Sequence, residues 1–377
     1  MKFDILSEYC FVNMGQSPAS ETYNNNADGL PFYQGNADFG EIHPQTRIWC
    51  SAPVKIANKG DLLISVRAPI GALNIATEQC CIGRGLAVLT PKLDKCRIKY
   101  IYFAIQSQIN FLIANGTGST FKAVNKNTLE NLLIPVSSLN KQDEIVNIFE
   151  KLNNIINKRK EQLLLLDNAV KSRFIEMFGD VIHNSKKWQN CLFSEITSSR
   201  LGKMLDAKQQ TGRNSYPYLA NFNVQWFRFN LKNLNKMDFD EKERSEFELC
   251  EGDLLVCEGG EIGRCAVWHN ELQPCFFQKA LHRVRCNREI ILPDYLSWWF
   301  RYNCDYGGFA ALAGSKATIA HLPGTKLKQL QVVVPPVELQ EQFVAFVKQT
   351  DKSKLEIQKS LDKLEILKKS LMQQYFG

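Results

Sequence analysis

The sequence predicts an α+β protein: two similar globular, strand-rich α/β modules, joined and spaced by two long α-helices that pair as an antiparallel coiled coil. Three observations carry the prediction. The 377-residue chain repeats itself. Two segments near residues 140–178 and 337–376 hold a seven-residue apolar period. The remaining sequence is made of short β-favouring runs between Gly- and Asn-rich turns.

The repeat is clearest late in each half. Asn131-Leu132-Leu133-Ile134-Pro135-Val136, followed by Gln142, aligns without a gap on Gln329-Leu330-Gln331-Val332-Val333-Val334, followed by Gln340. The same offset, about 198 residues, carries Lys171-Ser172 onto Lys369-Ser370 and Phe178-Gly179 onto Phe376-Gly377. Upstream, Gly60-Asp61-Leu62-Leu63-Ile64 matches Gly252-Asp253-Leu254-Leu255-Val256, and Gly118-Ser119 matches Gly314-Ser315. The predicted organisation is therefore a first module over 1–139, a central helix over 140–179, a second module over 180–336 and a C-terminal helix over 337–377.

In the central helix one apolar series reads Phe149, Ile156, Leu163, Val170, Met177. A second reads Ile145, Leu152, Arg159, Leu166, Arg173, an a/d heptad pattern with arginine at two d positions. Gly179 ends the helix. The C-terminal helix has Phe343, Thr350, Ile357, Leu364, Leu371 and Val347, Lys354, Leu361, Lys368, Tyr375. So many basic interruptions argue against a simple homodimer zipper. Pairing the two helices with each other would bury the apolar stretches and leave the basic ends facing outward. At 1.5 Å per residue, 38 helical residues make a rod of about 57 Å.

Composition and missing motifs exclude several function classes. The net charge of +7 is mildly basic and permits a polyanionic partner. No stretch approaches the roughly 18 apolar residues of a membrane span, and the start, Met1-Lys2-Phe3-Asp4, lacks an apolar signal core; a cytoplasmic location without membrane partners is expected. The twelve cysteines include no CxxC pair and no metal spacing, so buried reduced thiols and no metal are expected. Gly116-Thr117-Gly118-Ser119-Thr120 lacks the lysine of a phosphate loop, and Gly259-Gly260-Glu261-Ile262-Gly263 is not a dinucleotide fingerprint. Val334-Pro335-Pro336-Val337 lacks the polar residue and aromatic that a base-methylating site places around its proline pair. No catalytic residues are assigned, and no cofactor is expected in the chain.

Taken in order, these markers resemble the specificity (S) subunit of Type I restriction–modification systems. The carriers are the Gly60 and Gly252 strands, the Gly-Ser turns at 118 and 314, and Ile134-Pro135-Val136 and Val334-Pro335-Pro336 with Gln142 and Gln340 opening the helices. Met14-Gly15-Gln16-Ser17-Pro18 is similar to the family's N-terminal segment. One departure is Ser137-Ser138 where the second half has Pro335-Pro336. The resemblance covers essentially the whole chain and rests on the duplicated order, since no single motif is very specific. It implies a non-catalytic subunit whose two target recognition domains each read one half of a bipartite, asymmetric site in double-stranded DNA. It implies a coiled coil that spaces them and docks two modification (methyltransferase) subunits, with restriction (translocase and nuclease) subunits joining. The complex would be a DNA adenine methyltransferase and ATP-dependent endonuclease, with S-adenosylmethionine and ATP bound by the partner subunits.

On that reading, polar residues on strand- or loop-like stretches are the candidate DNA contacts, Asn and Gln suiting adenine and Arg guanine. In the first module these are Gln34, Asn36 and Arg67. In the second, Phe222-Asn223-Val224-Gln225-Trp226 alternates as a strand that projects Asn223 and Gln225 from one face, with Arg213, Asn214, Asn221 and Arg228 nearby. Lys122 and Lys316, just past the Gly-Ser turns, suit phosphate. Two other readings stay open: a coiled-coil interaction scaffold that binds no DNA, and the specificity module of a differently organised restriction or modification enzyme.

Overall fold

A computed structural model describes residues 2–116, 122–206, 210–310 and 321–377. The chain divides into two compact units, Met1–Glu161 with Ile357–Gly377, and Gln162–Glu356. Each unit is a mixed α/β module carrying two antiparallel helical segments, one from each long helix.

In the first unit, Lys2–Ile5 pairs with Leu133–Val136 as an antiparallel ribbon. A four-stranded antiparallel sheet follows in the order Cys10–Met14, Leu86–Pro91, Leu62–Ser65, Leu73–Ile75. The second unit has the same pieces. Gln189–Leu192 pairs with Gln331–Val334, and Thr197–Leu201, Leu281–Cys286, Leu254–Cys257 and Cys265–Val267 form the equivalent sheet. A parallel pair follows in each: Phe32 and Tyr33 beside Cys81 and Ile82, and Tyr218 and Leu219 beside Phe276 and Phe277. The duplicated Gly-Asp pairs serve the same turn twice. Gly60 and Gly252 take φ of +90° and +88°, and buried Asp61 and Asp253 accept the N–H of Asn58 and Cys250. Glycine suits that φ because a Cβ is disfavoured there.

The two long helices run Leu139–Phe178 and Val337–Phe376. A buried glutamine fixes each start. Gln142 Oε1 accepts the N–H of Arg97 at 2.8 Å, while its Nε2 donates to the carbonyls of Lys95 and Ser137. Gln340 Oε1 accepts the N–H of Leu292 at 2.8 Å, and its Nε2 donates to Ile290 and Pro335. Tyr100 and Tyr295 repeat a second tie, their hydroxyls donating to the carbonyls of Pro135 and Val333. An unpaired buried backbone group is expensive, so these bonds set the angle at which each helix leaves its module.

Both heptad series lie on the covered side of the helices. Ile145, Phe149, Leu152, Ile156, Val170, Phe343 and Leu361 are buried, and Leu163, Leu166, Val347, Ile357, Leu364 and Leu371 half-buried. Phe149 meets Tyr375 and Phe376 in the first unit, and Phe343 meets Phe174 and Phe178 in the second. The aromatic end of each long helix is thus set in a core begun by the other.

The basic interruptions do not face outward as the sequence suggested. Lys354 is half-buried and reaches Asp167 at 2.6 Å, where a partner acid on the facing helix offsets its desolvation. Lys368 is also half-buried; burial pulls its ammonium below the usual lysine range, Glu365 opposes that shift and Lys160 adds to it. Polar seam residues cost stability in return for register. Lys368→Leu is therefore expected to stabilise the first unit by about 0.5–1 kcal/mol. A lowered thermal midpoint for that unit would contradict this account of the seam.

Candidate nucleic-acid interface

In the first unit, several predicted residues converge on one rim at the end of the sheet. The parallel pair Phe32–Tyr33 and Cys81–Ile82 leads into the turn Gly83-Arg84-Gly85. Gln34 is exposed beside this turn; a Cβ on Gly85 would lie 2.3 Å from the Gln34 carbonyl oxygen. Val66 N–H donates to the Gly85 carbonyl at 2.9 Å, which places Arg67 next along the rim. Arg67 bridges to Ala123, adjacent to Lys122, and both basic residues are exposed. Ser17 Oγ accepts from the Arg84 backbone N–H at 3.3 Å and lies 3.5 Å from Gln34 Nε2. Gln34, Arg67 and Lys122 thus share one surface. Half-buried Asn36 sits farther back, opening the short turn Asn36–Asp38. There Asp38 accepts the N–H groups of Gln34 and Gly35 and holds Arg47 at 2.9 Å.

The second unit's rim repeats the bridge and the backbone hydrogen bonds with other side chains. Gly259 bridges to His321 where Arg67 bridges to Ala123. Half-buried Asn221 lies alongside, its Nδ2 donating to the Gly259 carbonyl at 2.8 Å and its Oδ1 accepting from Arg264 at 3.0 Å. Its amide is therefore occupied by the protein. Arg213 and Asn214 are exposed, Asn214 holding Phe239 N–H through its carbonyl. Lys316 and the two Gly-Ser turns lie outside the described residues.

The stretch 222–228 corrects the sequence reading. It is not one alternating strand. Asn221–Asn223 is a 3-10 turn, followed by a tight hairpin of Val224–Gln225 against Arg228–Phe229, with Phe227 at a φ of +62°. Asn223 is buried: its Oδ1 accepts the N–H of Ala220 and its Nδ2 donates to Asn230. It holds the turn and has no face to offer a base. Gln225 is half-buried and donates to the Phe222 carbonyl at 3.2 Å. The hairpin leans the other way, Phe227 stacking on Trp298 with centroids 4.4 Å apart. Exposed Arg228 consequently lines a cleft of about 740 Å³, with Trp226, Asp167, Lys348 and Lys354, rather than the rim.

Sequence reasoning also missed two basic residues, exposed Arg84 and Lys279, which occupy equivalent turns. The available signal was positional. Each follows two residues after the same short apolar strand in its half, Cys80–Ile82 and Phe276–Phe277. Among the described residues no group of His, Cys, Asp and Glu has a metal-holding arrangement, and no helix is long and apolar enough to cross a membrane. Most thiols are buried, and burial raises those of Cys80 and Cys275 to about 12.

Comparison with known proteins agrees with the duplicated architecture. The chain aligns with the putative type I restriction enzyme MjaX specificity subunit of Methanocaldococcus jannaschii at 40% identity over 159 residues, 41% of this chain and 37% of that protein. The MjaIX specificity subunit of the same organism is 28% identical over 129 residues, 34% of this chain and 30% of that one. These alignments therefore span about a third of each relative. In fold, the chain is similar over its full length to the Type I restriction–modification S subunit from M. genitalium, at a TM-score of 0.61, 14% identity and 96% coverage of that chain. It is also similar to a chain solved in work described as the structural basis of complex assembly and conformational transition of the type I R-M system, at a TM-score of 0.63, 16% identity and 97% coverage. The family model for the Type I restriction modification DNA specificity domain matches residues 5–165 and again 185–367. One match falls on each half of the repeat, and the chain belongs to the Type I restriction–modification DNA specificity family.

Proposed function

We propose that this chain is the sequence-specific DNA-recognition subunit of a Type I restriction–modification complex, each module reading one half of a bipartite, asymmetric duplex site. The observation that carries this reading is a repeated frame with unlike rims. The Gln142 and Gln340 networks, the Gly-Asp turns and the sheet orders recur, while the bridge made by Arg67 and Ala123 in one rim is made by Gly259 and His321 in the other. A common scaffold with different polar edges suits two different half-sites.

The chain itself does no chemistry on this reading. Methyl transfer to adenine and ATP-driven cleavage belong to two modification subunits and the restriction subunits, which bind S-adenosylmethionine and ATP. The paired helices dock the modification subunits and set the spacer. Exposed Ile148, Ile155, Ile366 and Leu367 in the first unit, and Leu164, Leu165 and Leu355 in the second, supply apolar surface for docking.

Methylome sequencing of a host expressing this chain with a modification subunit is expected to give a two-part adenine-methylated site. Modification of a continuous site, or none by an active complex, would overturn the reading. Four residues inserted into one long helix add about 6 Å and slightly more than one turn. Such an insertion is expected to lengthen the unread spacer by about one or two base pairs at 3.4 Å each, leaving both half-sites unchanged. Altered half-site bases would contradict the spacer role.

A further inference from the structure

We propose that Arg84 and Lys279 are matched phosphate anchors, one per module, that fix each rim on the duplex without reading its sequence. This rests on the DNA-recognition reading above and assigns the division of labour within it.

The two positions are equivalent by hydrogen bonding. Gly83 N–H donates to Tyr33 at 2.8 Å, and Gln278 N–H to Leu219 at 2.9 Å. Leu86 N–H closes the first turn onto Gly83 at 3.0 Å, and Leu281 N–H closes the second onto Gln278 at 3.2 Å. Gln16 and Lys203 donate to Ile82 and Phe277 just before the turns, and Val66 and Glu258 donate to Gly85 and Ala280 within them. No space lies beneath either turn: a Cβ on Gly15 would stand 2.2 Å from the Gly83 oxygen, and one on Gly202 2.3 Å from that of Gln278. Each turn is thus rigidly held, with one side chain standing out at its second position.

That side chain is basic in both modules. Arg84 and Lys279 are exposed, and neither makes a side-chain hydrogen bond or ion pair among the described residues. By contrast, Arg47 is paired with Asp38, Lys203 with Glu243 and Arg264 with Glu261. The surroundings of the two turns have diverged: Gln34 against Ala220, Gly83 against Gln278, Gly85 against Ala280. Ala280 holds a φ of +82°, a strained value for a residue with a Cβ, whereas Gly85 does not take a positive φ, so the two turns match in their hydrogen bonds and not in this dihedral. Unlike base pairs require unlike readers, but every half-site presents the same phosphates. A charge kept on a fixed turn while its neighbours change is what a phosphate contact requires, and Arg or Lys can supply it.

The test uses the full chain, its methylome-determined duplex and a scrambled duplex of equal length. Arg84→Ala and Lys279→Ala are each expected to weaken binding about tenfold on both duplexes alike. Each should lower the slope of log affinity against log salt by about 0.9. Arg84→Lys and Lys279→Arg should restore the slope, and Arg47→Ala should leave it unchanged. Unchanged thermal midpoints would show that the variants fold. An unaltered slope, or a loss confined to one half-site sequence, would overturn the anchor assignment while leaving DNA recognition intact. Failure of the unmodified chain to prefer its own site over the scrambled one would remove the recognition reading itself.

Discussion

Phe149→Ala is expected to destabilise the first unit by about 3–5 kcal/mol, the usual cost of emptying a buried aromatic position. Phe149 is fully buried in the first long helix. Its ring lies 4.9 Å from Phe103 on the module, 5.8 Å from Phe376 and 6.3 Å from Tyr375 at the end of the second long helix. The substitution therefore removes dispersion contacts to two other segments at once, one of them more than 200 residues away in the chain. For a unit of this size the thermal transition should fall by on the order of 10 °C. Ile155→Ala, at an exposed apolar position on the same helix, should shift it by about 0.5 kcal/mol or less. Calorimetry on both variants decides the matter. Equal shifts would mean that the three-way aromatic junction contributes little.

Gln340→Leu carries the second large effect, about 3 kcal/mol on the second unit. The loss comes from polar groups left behind. Leu292 N–H and the carbonyls of Ile290 and Pro335 would face an apolar side chain in a site closed to water. Each buried unsatisfied group costs about 1–3 kcal/mol, and local relaxation keeps the sum below the arithmetic total. Gln142→Leu should cost the first unit about as much, because its three bonds are the same in kind. Denaturant midpoints measured unit by unit, for example with a tryptophan reporter in the second, test the equality. A cost below about 0.5 kcal/mol for either would show that water or an alternative rotamer replaces the amide.

The frame was legible because it is written in periodicities and in repeated special residues. Five-heptad series from Phe149 and from Phe343 can satisfy only a covered helix face. Gly60-Asp61 and Gly252-Asp253 announce a turn through a φ that other residues disfavour. Gln142 and Gln340 stood out as repeat markers, but that both are buried bridges to a loop some 45–50 residues away is a tertiary fact with no local signature. The basic seam residues were misjudged for the same reason. Charge suggests solvent until a partner such as Asp167 appears on another helix.

The rim was less legible. Alternation of polar and apolar residues from Phe222 to Trp226 mimics a half-exposed strand, yet Asn223 uses its amide to close a turn, as asparagine commonly does. Arg84 and Lys279 carry no motif. Their equivalence emerges only when strand pairing aligns two turns that share no residue but the leucine that closes each.

The exchanged helix ends also impose an order on synthesis. Gln162–Glu356 is one continuous stretch, so the second unit has all its parts as soon as residue 356 leaves the ribosome. The first unit does not. Its module is made first, but Phe376, packed against Tyr100 and Phe149, belongs to a segment translated only after the whole second unit. At about 5–20 residues per second, the interval between Glu161 and Ile357 is on the order of 10–40 s. The unit begun first is thus the one completed last, and for that time its aromatic junction stands open beside a growing chain.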